Sequence, residues 1–380
     1  MKTIGKYSFG IGDRFAHEGV NQLKALIQAE KDFGVHFTPV WNKSNREHTI
    51  IGTEPMSTRR EADEAVKQLG YTDDYFCDAD HINLGNVDRF LDACDFFTID
   101  VADSIGKSGS PEERYLPAVK EAGRIYRHIA EKKGEGNFVT EVSMDEVPVA
   151  QTPDEIKYIL TELAKEKVPL QTFAPKFTGR FNKGVDYVGD LAQFEKEFEE
   201  DLKVVAWAVK ELGLPANLKL SIHSGSDKFS IYPIMGRLIR KYDAGIHVKT
   251  AGTTWLEEII GLSLADPEAL KLAKRIYRIA LGRMDELTVP YATVIDVDKS
   301  KLPDPAAVDG WDAQTFAKTL RHDEQEPLYN PSFRQLIHVS FKVAAELKDE
   351  YLPALVRSAD VIGAEISANI GARHVARLFG

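Results

Sequence analysis

A (β/α)8 TIM-type barrel with a helical C-terminal extension is the fold class this sequence predicts. Short apolar runs alternate with long amphipathic stretches, the pattern of a parallel sheet with helical crossovers. Eight such strand–helix units follow one another before the pattern changes. No glycine-rich dinucleotide turn follows the first strand, which argues against the open doubly wound alternative.

Strands are expected at Tyr7–Ile11, His36–Val40, Tyr75–Ala79, Phe96–Asp100, Asn137–Val142, Val168–Phe173, Leu218–His223 and Gly245–Lys249. Helical periodicity covers Glu18–Lys31, Arg59–Gly70, Asn86–Ala93, Pro111–Lys133, Pro153–Glu166, Gln193–Gly213, Tyr232–Tyr242 and Thr254–Leu281. Leu116, Val119, Ile125 and Ile129 illustrate the apolar spacing of one helical face. Two helix starts are explicit. Ser110-Pro111-Glu112-Glu113 and Thr152-Pro153-Asp154-Glu155 each set a capping hydroxyl, a first-turn proline and early acids in order. A barrel of this kind needs about 250 residues, so residues 1–261 are read as the catalytic barrel and residues 262–380 as a helical extension packed on it. The extension holds a Pro/Asp-rich stretch, Leu302-Pro-Asp-Pro305, and helical patterns at Asp312–Thr319, Phe333–Lys348 and Tyr351–Phe379. It also offers a surface for homo-oligomer formation.

Composition narrows the function. Hydrophobic residues make up 43% and charged residues 28% of the chain, enough to bury a large core in a water-soluble fold. A net charge of -11 argues against nucleic-acid and anionic-membrane partners, both of which demand a positive surface. A small anionic substrate needs only a few placed cations and stays open. Cys77 and Cys94 are too few for a disulfide framework. The N-terminus lacks a signal-peptide apolar run, and no stretch reaches the roughly 18 apolar residues of a membrane span. The expected location is cytoplasmic.

In such a barrel the site lies at the C-terminal ends of the strands. The candidates there include Asp13, Arg14, Asn42, Lys43, Asp78, Asp80, His81, Asp100, Asp103, Glu141 and Lys176, then His223, Ser224, Ser226, His247, Lys249 and Thr250. Any single histidine at a strand end is more often a hydrogen-bonded structural residue than a ligand. His81, His223 and His247 occupy equivalent places, and His81 adjoins the carboxylate of Asp80. Three imidazoles can hold a divalent metal with one position open, and an adjacent acid can move protons on what the metal polarises. Imidazole and carboxylate ligands suit zinc, manganese, cobalt, nickel or iron. Glu141 ends an apolar strand, where a lone buried carboxylate is costly unless it has a function. The loop His223-Ser-Gly-Ser-Asp-Lys228 can bring backbone N–H groups to an oxyanion. His17, His36, His48, His128, His322, His338 and His374 lack the shared context and read as surface or packing residues. Among them His338 stands out, because the apolar Ile337-His-Val-Ser-Phe341 segment could fold over the site.

Three segments carry a resemblance: Asp78-Ala-Asp-His-Ile82, Ile222-His-Ser-Gly-Ser226 and Gly245-Ile-His-Val-Lys-Thr250. With them the chain resembles the tagaturonate/fructuronate epimerase family over most of its length. The order of parts is also similar to metal-dependent (class II) sugar aldolases. That similarity implies Asp80 as proton acceptor, His81 and His223 as metal ligands, and Glu141 as a second acid/base. The aldolases take their remaining histidine from the strand before the Ser/Gly loop, where this chain has Phe173-Ala-Pro-Lys176, so His247 would serve instead. The implied reaction is epimerisation of a sugar acid by retro-aldol cleavage and re-formation, with Lys228, Lys249 or Arg14 pairing with the substrate carboxylate. Ser224 and Ser226 complete the implied substrate contacts. A class II-type aldolase, an epimerase of neutral ketohexoses, an enediol-forming isomerase and a non-catalytic sugar-acid-binding barrel are the alternatives.

Overall fold

The computed structural model describes all 380 residues and closes eight parallel strands, each paired with its sequence neighbours, into one barrel. The strands are β1 (Tyr7–Ile11), β2 (Thr38–Ser44), β3 (Phe76–Ile82), β4 (Phe96–Asp100), β5 (Val139–Ser143), β6 (Thr172–Ala174), β7 (Lys219–Ile222) and β8 (Ile246–Lys249). Around them run α1 (Gly19–Phe33), α2 (Asn45–Ile51), α3 (Met56–Leu69), α4 (Pro111–Lys133), α5 (Pro153–Lys165), α6 (Leu191–Leu212), α7 (Tyr232–Tyr242), α8 (Thr254–Ala265) and α9 (Pro267–Gly282). The expected TIM-type barrel is therefore present, and β1, β4, α4 and α7 occupy the residues read from the sequence. The two capping boxes form as expected: Ser110 and Thr152 each accept from the backbone N–H three residues on, and Glu113 and Glu155 reach back.

The expected Phe333–Lys348 helix is broken at Ser340 and Leu347, and the expected strand Val168–Phe173 is reduced to Thr172–Ala174. Three further elements differ for a local reason. The Asn86–Ala93 pattern yields only a single 3-10 turn, Val87–Arg89, in the short connection from β3 to β4. Thr254–Leu281 is two helices, because Asp266 caps a new one, accepting from Glu268 and Ala269 N–H at 2.8 Å, and Pro267 fits its first turn. Tyr351–Phe379 is likewise divided: helices 348–357 and 359–367 meet at Ser358, and the chain then widens into a π-helical stretch, Ala368–Val375. No helix is long and apolar enough to cross a membrane.

Helix 359–367 packs on α1 and α8, and the last helix, Ala376–Phe379, packs on α7. Glycines permit this close approach. A Cβ on Gly261 would lie 2.7 Å from Ile362 Cα, where only hydrogen fits. Gly261→Ala is therefore expected to lower stability by about 1–3 kcal/mol through overpacking, read as a fall in the denaturation midpoint. An unchanged midpoint would mean the two helices are free to separate.

Candidate active site

Strand periodicity explains most of the mouth. Residues two apart on a strand share a face, so Asp78 and Asp80 on β3, Thr98 and Asp100 on β4, Glu141 and Ser143 on β5, and His247 and Lys249 on β8 turn inward in layers. At their centre the Lys249 ammonium lies 2.8 Å from Asp78, 2.7 Å from Asp80, 3.0 Å from Glu141 and 2.6 Å from Thr98 Oγ1.

His81 leaves this regular pattern. The pairing of β3 with β4 shifts register between Ala79 and Ile82, and His81 takes φ 52°. A left-handed histidine is held only where its surroundings over-determine it. Its Nδ1 lies 2.8 Å from Asp100 Oδ2, and Asp100 is fixed in turn by the Ala102 N–H at 3.0 Å. His223, at the end of β7, places Nε2 2.7 Å from Glu141 Oε1 and Nδ1 3.2 Å from Asp145 Oδ1. The next residue, Ser224, is also left-handed at φ 48°. The His81 and His223 rings stand 4.9 Å apart at 75°. One donor atom from each of His81, Asp145 and His223 lies within 4.8 Å of the others, a group that could hold a metal ion. A carboxylate outside this group holds one nitrogen of each imidazole, Asp100 for His81 and Glu141 for His223, the arrangement that orients metal-binding histidines.

Burying so many acids sets the protonation of the group. Burial opposes a proton on His81, but Asp80, Asp100 and Asp145 outweigh it and raise its pKa to about 10. His223 rises for the same reason, with Asp145 and Glu141 overcoming burial. Burial and the neighbouring Asp80 and Glu141 charges outweigh Lys249 at Asp78 and lift its carboxyl to about 7. Asp80 goes the other way despite burial, held below the usual carboxylate range by Lys249, His81 and His223.

Above the group opens a cavity of about 350 Å³, of whose 26 lining residues only three are hydrophobic. Such a lining suits a ligand studded with hydroxyls. A second lobe of about 390 Å³ shares Asp145, His223 and Ser224 and adds Phe177 and Phe181.

The expected site residues divide clearly. Arg14, Asp80, His81, His223, Ser224, Ser226 and Lys249 line the cavity together. His247 does not join them. It sits a layer deeper, fully buried, with Nδ1 2.8 Å from Ser8 Oγ and its ring beside Phe96. Two residues along a strand is roughly 6.6 Å of depth, which sets His247 below the group formed by His81, Asp145 and His223. Glu141 is buried beneath the cavity and meets its lining at His223 and Lys249. Lys228 is not a free cation: its ammonium donates to the carbonyls of Asn182, Val185 and Ser226 at 2.8, 2.7 and 2.9 Å. Lys249 is engaged by carboxylates, and Arg14 Nη1 pairs with Glu47. Asp145 went unnoticed in the sequence, although Glu141, Ser143 and Asp145 continue one period-two face. Lys183 and His338, which also line the cavity, come from a loop and from the extension.

A polar pocket of this kind, over an acid–histidine cluster at the C-terminal mouth of a closed barrel, defines a (β/α)8 enzyme for a small polar substrate. The chain belongs to the tagaturonate epimerase family, whose sequence profile matches residues 110–378, and is thus an isomerase acting on carbohydrates. The tagaturonate/fructuronate epimerase of Thermotoga maritima is 27% identical over 423 aligned positions, spanning 98% of this chain and 81% of that protein. The glycerol-complexed fructuronate-tagaturonate epimerase of Cohnella laeviribosi superposes with a TM-score of 0.84 at 24% identity, over 99% of this chain and 82% of that one. A probable tagatose 6 phosphate kinase from Sinorhizobium meliloti shares the fold more loosely, with a TM-score of 0.52 at 13% identity over 99% of this chain and all of that one.

Lys249→Met would leave Asp78, Asp80 and Glu141 without their shared cation. A loss of about 3–5 kcal/mol is expected, measured by chemical denaturation at neutral pH. A loss below about 1 kcal/mol, the range of an exposed pair, would mean that the carboxylates are neutralised otherwise.

Proposed function

We propose that this protein interconverts D-tagaturonate and D-fructuronate by breaking and re-forming a carbon–carbon bond, with a divalent cation held by His81, Asp145 and His223. The observation that carries this reading is the convergence of those three side chains on the polar cavity, each imidazole backed by a carboxylate. Family membership supports the substrate pair. The donor set fits zinc, manganese, cobalt, nickel or iron.

The two sugars differ at a carbon two bonds from the ketone, C4 when the ketone is C2. The hydrogen on C4 is not acidic, so direct deprotonation there is difficult. The hydroxyl proton on C4 is accessible. Asp80 lines the cavity and is held ionised, so it is suited to accept that proton. The C3–C4 bond then breaks: C4 becomes an aldehyde carbon, and the electron pair forms the enediolate across C2 and C3. A bound cation would supply the charge stabilisation that this enediolate needs. Lys249 keeps Asp80 in place and ionised. The aldehyde fragment turns within the two-lobed cavity, the bond re-forms on its other face, and Asp80 returns the proton. Glu141 acts in this scheme as a positioning residue for His223, in place of the second acid/base implied by the aldolase similarity.

A proton NMR time course of D-fructuronate in D2O tests the proposal. Tagaturonate should appear with its C4 hydrogen retained, and a chelator should stop the reaction. Deuterium at C4 would rule out carbon–carbon cleavage, and accumulation of three-carbon products would make the protein an aldolase. Asp80→Asn should lower kcat by about 10²–10⁴-fold, the range for a lost general base.

The cation assignment has its own readout. In calorimetric titration with manganese or cobalt, His81→Ala and Asp145→Ala should abolish tight binding. Asp100→Asn should weaken it about 10–100-fold by freeing the His81 ring. His247→Ala should bind as the parent does; loss in that variant with retention in Asp145→Ala would return the third position to His247.

A further inference from the structure

A second group of residues lines the same cavity. His338, on helix Pro331–Val339 of the C-terminal segment, is only 3% exposed, lines the cavity, and has no hydrogen-bond partner at either ring nitrogen. A buried imidazole with both nitrogens unsatisfied is costly, so a ligand is the expected partner. Two glycines make room for it: a Cβ on Gly252 would lie 3.2 Å from His338 Cε1, and one on Gly184 would lie 3.7 Å from His338 Cγ. The same Gly252 position is 3.6 Å from Arg14 Nη2, so the guanidinium and the imidazole adjoin. Arg14 is 4% exposed, stacks 4.8 Å over Phe341, and leaves its Nε without a partner. Lys183 precedes Gly184 in the loop after β6 and lines the cavity too.

We propose that Arg14, Lys183 and His338 form the subsite for the carboxylate of a sugar acid, and that this subsite gives the enzyme its preference for acidic over neutral sugars. The inference rests on the epimerase reading above and deepens it. The cations that line the cavity are not equivalent. Lys249 is held by Asp78, Asp80 and Glu141, and Arg14 Nη1 pairs with Glu47, whereas the Lys183 ammonium makes no ion pair. A carboxylate placed between Lys183, Arg14 and His338 gains charge-assisted hydrogen bonds. Burial first, and then the charges of Arg14 and Lys183, hold the His338 pKa well below its ordinary value. His338 is therefore neutral, able to donate from one nitrogen and accept at the other, matching a carboxylate oxygen beside a hydroxyl.

D-Gluconate, which carries the carboxylate but no ketone, and neutral D-sorbitol serve as calorimetric probes alongside steady-state kinetics on D-fructuronate. The parent should bind gluconate but not sorbitol, and Lys183→Met should lose that preference. Lys183→Met should also raise KM for fructuronate about 10–100-fold, the weight of one charged hydrogen bond, and raise it more than it lowers kcat. His338→Phe should act in the same direction, and His338→Gln, which keeps a donor and an acceptor, should recover part of the loss. Unchanged KM and gluconate binding in both Lys183→Met and His338→Phe would overturn the subsite. So would a fall in kcat with KM preserved. Gluconate binding that depends on Lys183 in a parent that does not turn over fructuronate would uphold the subsite and reject the epimerase.

Discussion

Lys249 places one ammonium within 3.0 Å of Asp78, Asp80 and Glu141 in the closed top of a barrel. The rest of the site follows from that constraint. One cation cannot balance the acids gathered there, because Asp100 and Asp145 add to the three it touches. The shortfall draws protons: the acids raise the pKa of His223, lift that of His81 to about 10, and Asp78 is pushed up to about 7. A divalent ion would supply two charges from a single point between neutral imidazoles. The same acids that raise both imidazole pKa values would favour a cation, and its binding would release any protons the imidazoles hold.

Much of this was legible in the chain. The alternation of apolar runs and amphipathic stretches led to eight strands, and the rule that barrel sites lie at strand ends led to Asp80, His81, His223 and Lys249. Depth was harder to read. His247 and Lys249 are both inward residues of β8, yet only the upper one reaches the cavity. Glu141 and Asp145 repeat the pattern, with the deeper acid buried and the upper one lining the cavity. A period-two count assigns a face but not a layer, since layer depends on how strands stagger around the barrel. The helix breaks at Asp266-Pro267 and Ser358 were missed because apolar periodicity continues across them.

The extension contributes residues that no local pattern could have assigned. Arg334 is fully buried, and its guanidinium donates to Gly184 O at 2.5 Å, Leu320 O at 2.8 Å and Asp227 Oδ2 at 2.5 Å. It therefore ties the loop after β6 to the loop after β7. His374 accepts from the Asp227 N–H at 3.0 Å, and its Nδ1 lies 2.6 Å from Asn369 O. His322 completes the shell around Asp227 at 3.2 Å. Three side chains far apart in sequence thus fix the left-handed Asp227 and, through it, the Ser224–Ser226 edge of the cavity. Breaking a buried pair of this kind leaves an uncompensated charge, so these contacts bind the C-terminal helices firmly to the barrel loops.

The central claim is that His81, Asp145 and His223 together hold a cation. X-ray absorption spectroscopy on the cobalt-loaded protein tests it most directly, because imidazole and carboxylate donors give distinct outer-shell scattering. Two imidazoles with a carboxylate are predicted, with the carboxylate contribution removed in Asp145→Ala. Three imidazoles, or a spectrum unchanged by that substitution, would contradict the account.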